Sequence, residues 1–313
     1  MRVNGVSRKV NRKNRTRIRK GDLLFYCLLL LIPLVQILVF YFGVNFQSFF
    51  MAFQKLENGR FVFDISSNLS RFQSDITRSG FWTMIGNSFI VYLFTSLSST
   101  VLATIFSYYV YKRRTLANFF KFVLFLPSIL PALLLVIMFQ MFVSNAFPAY
   151  FEILFKQEIP DFLGSSYAGT QIRFTIITIY TIWISFGSQV LVYTGAMDQI
   201  PTEVIEAGKI DGTNSFTEFI HIILPYILST VGTFLIAGVA SIFTNQNNLF
   251  SFFNWNAINE NEYTVGYYLY RLVYLDSHGS GYCYAAFLGL LCTIIVVPLS
   301  FAVRKVIERV TER

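Results

Sequence analysis

Six apolar runs, each close to the length that crosses a lipid bilayer, divide this chain. A transmembrane helix needs about 20 mostly apolar residues, because the hydrocarbon core is about 30 Å thick. The composition agrees, since 54% of the residues are hydrophobic and only 13% are charged, against about 25% charged in soluble domains. The runs cover residues 23–44, 81–111, 119–143, 174–196, 225–243 and 282–303. The sequence therefore predicts an all-α membrane protein with six transmembrane helices.

A basic arm precedes the first run, since residues 2–20 contain nine Lys or Arg and no acidic residue. Such an arm is first a signal for orientation in the membrane and second a contact for anionic membrane lipid. Although the formal net charge is +8, this distribution argues against a nucleic-acid partner. The first run is too long for a signal peptide, and no small-residue cleavage site follows it.

Six spans place both termini on the same side of the membrane. Of the 25 Lys and Arg residues, 18 lie in the arm, the 112–121 turn, the 197–225 loop and the tail. Because inner loops collect Lys and Arg, these four segments are predicted to be cytoplasmic. The predicted organisation is a basic arm at 1–22, a first helix at 23–44, an extracytoplasmic loop at 45–80, a five-helix core at 81–303 and a tail at 304–313.

The loop at residues 197–225, called here the acidic loop, carries more acid than an inner loop usually does. A single base, Lys209, stands against Asp198, Glu203, Glu206, Asp211 and Glu218. A helix lying on the membrane surface favours Lys and Arg on its polar face, which argues against that alternative. Membrane topology therefore does not explain why the loop is rich in acidic residues.

Local signals in the acidic loop predict two short helices with a break between them. Pro201 suits a first helical position, where its missing N–H costs nothing. Gly212 suits the left-handed conformation that often ends a helix. Ser215, with Glu218 three residues later, matches a capping box and so predicts the start of the second helix.

One face of the first loop helix is predicted to pack closely on a neighbour. Val204, Ala207 and Gly208 fall at the spacing that places side chains on the same side of a helix. Two of these three residues are small, so another helix could approach them. At the far end of the loop, Leu224 and Pro225 predict the point at which the loop ends and the fifth span begins.

The acidic loop resembles the cytoplasmic signature of permease subunits in binding-protein-dependent ABC importers. That signature is Glu-Ala-Ala, then Gly after three more residues, then Ile-x-Leu-Pro. The matching segments are Glu206-Ala207-Gly208, Asp211-Gly212 and Ile222-Ile223-Leu224-Pro225, and Pro201-Thr202-Glu203 resembles the lead-in of sugar permeases. Gly208 replaces the second Ala, which is a change between small residues.

The resemblance implies a type I ABC importer permease fold whose acidic loop docks in a groove of an ATPase subunit. The loop then transmits nucleotide-driven closure to the spans. The implied ATPase-coupling residues are Glu203, Glu206, Ala207, Gly208, Asp211, Gly212, Leu224 and Pro225.

Energy for transport is predicted to come from outside this chain. The interiors of the predicted spans two to six lack the charged residues that ion-coupled carriers usually keep in the membrane. The sequence also lacks a P-loop motif for ATP. A separate ATPase subunit is therefore implied. The resemblance implies two ABC ATPase subunits, which carry ATP and Mg, and we expect no cofactor on this chain. The three Cys and two His residues fall at no metal-ligand spacing, so we predict neither a metal site nor a catalytic site.

The spans carry hydroxyl, amide and aromatic groups, which suit a sugar with its many hydroxyls and its C–H faces. The resemblance to maltose-type sugar permeases implies a site in mid-membrane, between the spans that flank the acidic loop. The positions that match this placement are Ser185, Gln189, Ser241 and Asn245. Each could equally form a hydrogen bond between helices, so both interpretations stay open.

The resemblance also implies partners and a location in the bacterial plasma membrane. One such subunit cannot enclose a pathway, so we expect a second, homologous but different permease in a heterodimer. An extracytoplasmic solute-binding protein and a sugar or oligosaccharide substrate complete the expected set. Two alternatives remain: an ABC permease for a glycerol-phosphate, polyamine or peptide, and a channel or structural membrane protein without an ATPase partner.

Overall fold

The structure, a computed structural model, describes residues 20–164, 171–253, 258–274 and 280–311. Within these ranges, six helices are long and apolar enough to cross a membrane. They are Phe25–Met51, Ser79–Tyr111, Ala132–Phe155, Gln171–Met197, Ser215–Ala240 and Gly281–Thr311. The predicted all-α architecture with six spans is confirmed. Most of the predicted basic arm, residues 1–19, lies outside the described residues.

The chain divides into two compact units, residues 1–50 and 51–313. In the first unit, helix α1 (Lys20–Gln36) continues through π-helical turns at Ile37–Asn45 into α2 (Phe46–Met51). Residues 25–50 are exposed throughout. An apolar helix with no buried face suits a segment surrounded by lipid or by another membrane subunit.

The segment between the first two spans, predicted as a polar loop, is largely regular in the second unit. Strands β1 (Gln54–Glu57) and β2 (Arg60–Phe63) pair in antiparallel fashion. The Asn58-Gly59 turn between them has φ values of 51° and 76°, which is the conformation that Asn-Gly favours in two-residue hairpins. Helix α3 (Ile65–Ile76) follows, and the Asp64 side chain caps it.

The second span, α4 (Ser79–Tyr111), agrees with the sequence, but the predicted bounds of the third span, 119–143, are wrong. Helix α5 (Ala117–Ile129) stops before Pro131, because the residue that precedes a proline is pushed out of the helical region. The spanning helix comprises α6 (Ala132–Met141), a π-helical turn at Phe142–Ala146 and α7 (Phe147–Phe155). Residues 144–155, predicted to lie outside the membrane, therefore belong to this helix.

The fourth span, α8 (Gln171–Met197), packs along α4, and α5 and α11 pack against this pair. Tyr180 and Tyr193 of α8 and Val91 of α4 are among the most deeply buried side chains. At the start of α8, Arg173 is buried in an ion pair with Glu262, with Nη2 2.6 Å from Oε2. These contacts make α4 and α8 the centre of the second unit.

The fifth span begins earlier than predicted. Helix α10 (Ser215–Glu218), a π-helical turn at Phe219–Ile223 and α11 (Leu224–Ala240) form one continuous helix of 26 residues. The predicted start at Pro225 is therefore wrong. Proline has no N–H to donate within a helix, and Pro225 lies in the first turn of α11, just after the π-helical turn.

The end of the fifth span lies close to the predicted residue 243. The helix ends at Ala240, and the chain turns with positive φ at Asn247 and Asn248. Asparagine tolerates this left-handed conformation better than most residues do. The remaining elements are α12 (Leu249–Phe253), a 3-10 turn at Glu260–Glu262, α13 (Val265–Tyr274) and α14 (Ser280–Thr311).

Candidate functional site

The acidic loop contains the helix and the break that the sequence predicts. Helix α9 spans Thr202–Ile210, and Pro201 is its N-cap, one position earlier than expected. The break follows at once, with Gly212 at φ 77°. A side chain at this position would be strained, because the left-handed region disfavours Cβ. Gly212 thus fixes the direction in which the chain leaves α9.

The buried face of α9 differs from the predicted one. Ile205 and Gly208 are buried, whereas Val204 and Ala207 are exposed. Ile205 packs in an apolar cluster with residues that include Met197 and Ile223. The predicted shared face of Val204, Ala207 and Gly208 is therefore wrong, because the large apolar Ile205 determines which side of the helix turns inward.

Gly208 permits the close approach of the two loop helices. A Cβ at this position would lie 2.5 Å from Cδ1 of Ile222 and 3.3 Å from Oγ1 of Thr213. The Gly208 carbonyl also accepts hydrogen bonds from the Thr213 backbone N–H at 3.0 Å and its hydroxyl at 2.8 Å. These contacts make α9, the break and the following helix one packed unit.

The second loop helix is capped by Asn214, not by the predicted Ser215. The Asn214 side chain accepts a hydrogen bond from the Thr217 N–H at 2.8 Å. Glu218 is consequently free to turn inward, where it is 3% exposed. There its carboxylate lies 2.5 Å from the ammonium group of Lys112, the residue directly after α4. The predicted capping box is therefore wrong.

An exposed apolar patch stands beside the acidic side chains of the loop. Ile210 is 86% exposed, Phe216 74% and Val204 40%, while Glu203 and Glu206 are exposed as well. Large apolar side chains rimmed by charge are typical of a surface that another protein covers. Among the remaining predicted coupling residues, Ala207, Asp211, Gly212 and Pro225 are exposed and Leu224 is half-buried.

A polar cavity of about 260 Å³ lies between α4, α8 and the end of α11. All four predicted pathway residues line it: Ser185, Gln189, Ser241 and Asn245. The other lining residues are Tyr92, Thr95, Ser96, Ser99, Phe234, Ala237, Gly238 and Ile242. None of these described lining residues is Asp, Glu, Lys, Arg or His, so the cavity is polar without being charged.

The hydrogen bonds in the cavity bear on the two open interpretations of these residues. Ser185 and Ser241 donate within their own segments, to the carbonyls of Thr181 at 2.6 Å and Gly238 at 2.8 Å. The Asn245 side chain accepts from the Asn247 N–H at 2.8 Å. Among the bonds that the described residues make, Gln189 is the one of the four that reaches another helix, with its Nε2 3.5 Å from Ser99 Oγ. Gln189 Oε1 is buried and has no hydrogen-bond partner among the described residues.

Sequence reasoning missed the residues that hold the turn beside the cavity. Asn247 is fully buried and bonds to two residues of α8: its amide donates to Thr178 Oγ1 at 3.0 Å, and its carbonyl accepts from Thr181 Oγ1 at 2.9 Å. Asn248 donates to the same Thr181 hydroxyl at 2.9 Å. The run of amides at 245–248 was the available signal for this network.

The segment after this turn is held by the Asn-Ser pair near the start of α4. Asn87 Nδ2 donates to the backbone carbonyls of Asn261 at 2.8 Å and Tyr263 at 3.0 Å. Ser88 Oγ accepts from the Val265 N–H at 2.9 Å. The buried Asn87 amide and the buried Tyr263 carbonyl and Val265 N–H are thereby satisfied.

A six-span membrane protein with an uncharged polar cavity and an acidic helical loop has the architecture of a transport permease rather than of an enzyme. The sequence profile of the family described as the binding-protein-dependent transport system inner membrane component matches residues 99–312. Because this match covers more than half of the chain, the chain belongs to that family. It is an integral membrane permease protein, as the sequence predicts.

Two curated relatives and one solved structure extend the comparison. The chain is 24% identical over 268 residues to the multiple sugar-binding transport system permease protein MsmF of Streptococcus mutans, covering 85% of this chain and 89% of that one. It is 24% identical over 272 residues to the arabinooligosaccharides transport system permease protein AraP of Bacillus subtilis, covering 85% and 83%.

The solved structure is a bacterial ABC transporter involved in the import of the acidic polysaccharide alginate. One of its chains matches with a TM-score of 0.71 and 18% identity, covering 93% of this chain and 96% of that one. At this identity the match establishes a shared fold. The type I importer permease fold implied by the acidic loop is therefore confirmed.

Proposed function

We propose that this chain is one of two different permease subunits of an ATP-driven importer that moves a neutral sugar or oligosaccharide into the cytoplasm. The polar cavity carries this proposal, because Ser185, Gln189, Ser241 and Asn245 meet there without a charged neighbour. Hydroxyl and amide groups beside the Tyr92 ring match the chemistry of a sugar, whose hydroxyls need partners and whose C–H faces pack on rings.

The charge of the solute follows from the cavity lining. A phosphate, carboxylate or ammonium group that left water would need a compensating charge, and the described lining residues supply none. The names of MsmF and AraP refer to sugars and arabinooligosaccharides, which agrees with a carbohydrate solute. A neutral carbohydrate is therefore favoured over a glycerol-phosphate or a polyamine.

The distribution of basic residues supports a cytoplasmic position for the acidic loop. Lys112 contacts Glu218 of the loop, so the 112–114 basic turn and the loop share one side of the membrane. Short basic turns between spans mark the cytoplasmic side. On that side the loop is within reach of a cytoplasmic ATPase.

The exposed patch of the acidic loop supplies the docking surface in this proposal. Ile210 and Phe216 offer apolar contact, and Glu203 and Glu206 offer charge to a groove on each ATPase subunit. Two ATPase subunits, which bind ATP and Mg, would close on ATP and displace the loops. The spans would then pass from an inward-open to an outward-open arrangement, a coupling that requires both sites to bias the same two states.

Two further partners complete the proposed importer. A second, different permease supplies the other half of the pathway, and an extracytoplasmic solute-binding protein delivers the sugar to the outward-open cavity. Membership of the binding-protein-dependent family supports the delivery step. The exposed surface of the first span leaves room for contact with lipid and with a partner permease.

Purification of the chain from its native membrane tests this proposal. We expect a second six-span protein and a P-loop ATPase to copurify, with ATP hydrolysis stimulated by a solute-binding protein loaded with one neutral sugar. Stimulation by an acidic sugar alone would contradict the neutral substrate. A chain that purifies alone, or only with copies of itself, would leave a channel or structural role and reject the importer.

A further inference from the structure

Helix α4 contacts both the polar cavity and the acidic loop. It is not continuous with that loop in the chain, because α8 precedes the loop and α11 follows it. Its residues Tyr92, Thr95, Ser96 and Ser99 line the cavity. Lys112, directly after its last turn, pairs with Glu218 of the loop. The distance along the helix axis is roughly 20–30 Å, at 1.5 Å per residue. One uninterrupted helix of 33 residues therefore connects the two parts of the site.

The contact at the end of α4 is buried and has several components. The side chain of Lys112 is 21% exposed and that of Glu218 4%, and the two charged groups are 2.5 Å apart. The Tyr108 hydroxyl donates to the Ser215 carbonyl at 2.9 Å. The Tyr108 ring also packs on Phe219, with ring centroids 4.9 Å apart. The end of α4 is thus held to the second loop helix by both charge and packing.

The three helices around the cavity differ in how the chain connects them to the acidic loop. Helix α8 runs into the loop and α11 continues from it, so the chain itself connects them. Helix α4 packs along α8, where Ser107 Oγ donates to the Val190 carbonyl at 3.1 Å, but the chain does not connect α4 to the loop. A buried carboxylate that loses its partner is left as an uncompensated charge. Separation of Lys112 from Glu218 is therefore unfavourable, and this holds the end of α4 beside the loop if the loop moves.

We propose that Lys112 and Glu218 are positioning residues that make α4 follow the acidic loop, so that docking-driven displacement reaches the cavity wall formed by Tyr92 to Ser99. This inference rests on the proposed function and names the contact that carries its coupling. With the pair intact, hydrolysis and cavity opening occur together. Without it, the loop responds to the ATPase while α4 lags, and ATP is hydrolysed without solute movement.

The experiment compares ATP hydrolysed per labelled solute imported by the complete complex in proteoliposomes. The variants are Lys112→Met and Glu218→Gln, the charge swap Lys112→Glu with Glu218→Lys, and the conservative Lys112→Arg. The matched control is Arg304→Met with Glu308→Gln, which removes an exposed pair at 2.7 Å on α14. We expect the single neutral variants to raise the ratio about tenfold, within the range typical of coupling between sites.

The swap and Lys112→Arg should return the ratio close to that of the wild type, and the control should leave it unchanged. An unchanged ratio in both neutral variants would reject the inference. So would a parallel loss of hydrolysis, uptake and melting temperature, because that marks a purely structural role. A wild-type complex without ATP-driven uptake would reject the proposed function itself, which separates the two failures.

Discussion

Gly208 lies against Ile222 so closely that a methyl group on Gly208 would be 2.5 Å from Ile222 Cδ1. This contact joins the first helix of the acidic loop to the helix that becomes the fifth span. The atom in the way is the far end of a flexible side chain, so a small substituent can be accommodated by rotation of Ile222. A large one cannot, because Thr213 closes the other side at 3.3 Å.

Gly208→Ala should therefore be close to neutral. Overpacking destabilises a protein by about 1 kcal/mol at the low end of its range. Replacing glycine by alanine inside a helix stabilises the helix by about 1 kcal/mol. Gly208→Leu should separate α9 from Ile222 and abolish uptake. Melting temperature and uptake of the reconstituted complex check both variants. Loss of assembly in Gly208→Ala would show that Ile222 cannot move.

Gly212→Pro should abolish uptake while the chain still inserts into the membrane. Gly212 has φ 77° and donates its N–H to the Lys209 carbonyl at 3.1 Å. Proline fixes φ near −65° and has no N–H, so the exit from α9 would change direction. Membrane fractionation and uptake in cells are the measurements. Unchanged uptake would show that the direction of this turn is irrelevant to coupling.

Glu206→Arg should also abolish uptake, through a different cause. Glu206 is exposed on α9 and belongs to the proposed docking surface, so charge reversal opposes a groove that accepts acid. Binding of the ATPase subunits in a pull-down is the direct measurement. Glu57→Arg on the exposed hairpin is the matched control and should retain binding. Equal ATPase binding by both variants would place the docking surface elsewhere.

Gln189→Ala should lower the affinity of uptake for the sugar. Gln189 lines the polar cavity, and within the described part of the chain its Oε1 has no hydrogen-bond partner. A hydrogen bond to a neutral group is worth about 0.5–1.5 kcal/mol. The KM of uptake for the sugar should therefore rise about two- to tenfold. The rate of ATP-driven uptake at saturating sugar should stay unchanged. Ser188→Ala, an exposed neighbour on α8, is the control. A KM unaffected by Gln189→Ala would remove this side chain from the pathway.

Asn247→Ala should destabilise the chain by about 1–3 kcal/mol, because it deletes both bonds to α8 and leaves buried hydroxyls short of partners. The Thr178 and Thr181 hydroxyls are the groups affected. Thermal unfolding in detergent measures the effect. Asn259→Ala, at an exposed cap outside the network, should change the melting temperature much less. Equal shifts would mean that the amide network adds nothing specific.

The spans and the helix break were predictable because their signals are local. Apolar length defines a span wherever the flanks are polar, and Gly212 ends a helix whatever packs around it. The placement of Ser185, Gln189, Ser241 and Asn245 came from resemblance, and the fold brings these four residues to one cavity. Their role in transport stays a prediction.

Other features could not be predicted from the sequence. They depend on contacts between residues that are distant in the chain, or on which of two similar residues takes a given role. Lys112 and Glu218 are 106 positions apart, and no local signal pairs them. Asn214 and Ser215 are both good N-caps, and the structure uses Asn214, which leaves Glu218 to pair with Lys112. Pro127 remains inside α5 whereas Pro131 precedes a new helix, and the local rule for the residue before a proline does not distinguish the two.

The central claim is that ATP hydrolysis on partner subunits drives a neutral sugar through this permease. The most direct test is uptake of labelled neutral oligosaccharide into proteoliposomes that hold the native complex, with the solute-binding protein outside and ATP inside. The account predicts accumulation that requires ATP and the binding protein together. Sugar movement that equilibrates equally with and without ATP would contradict it and indicate a channel.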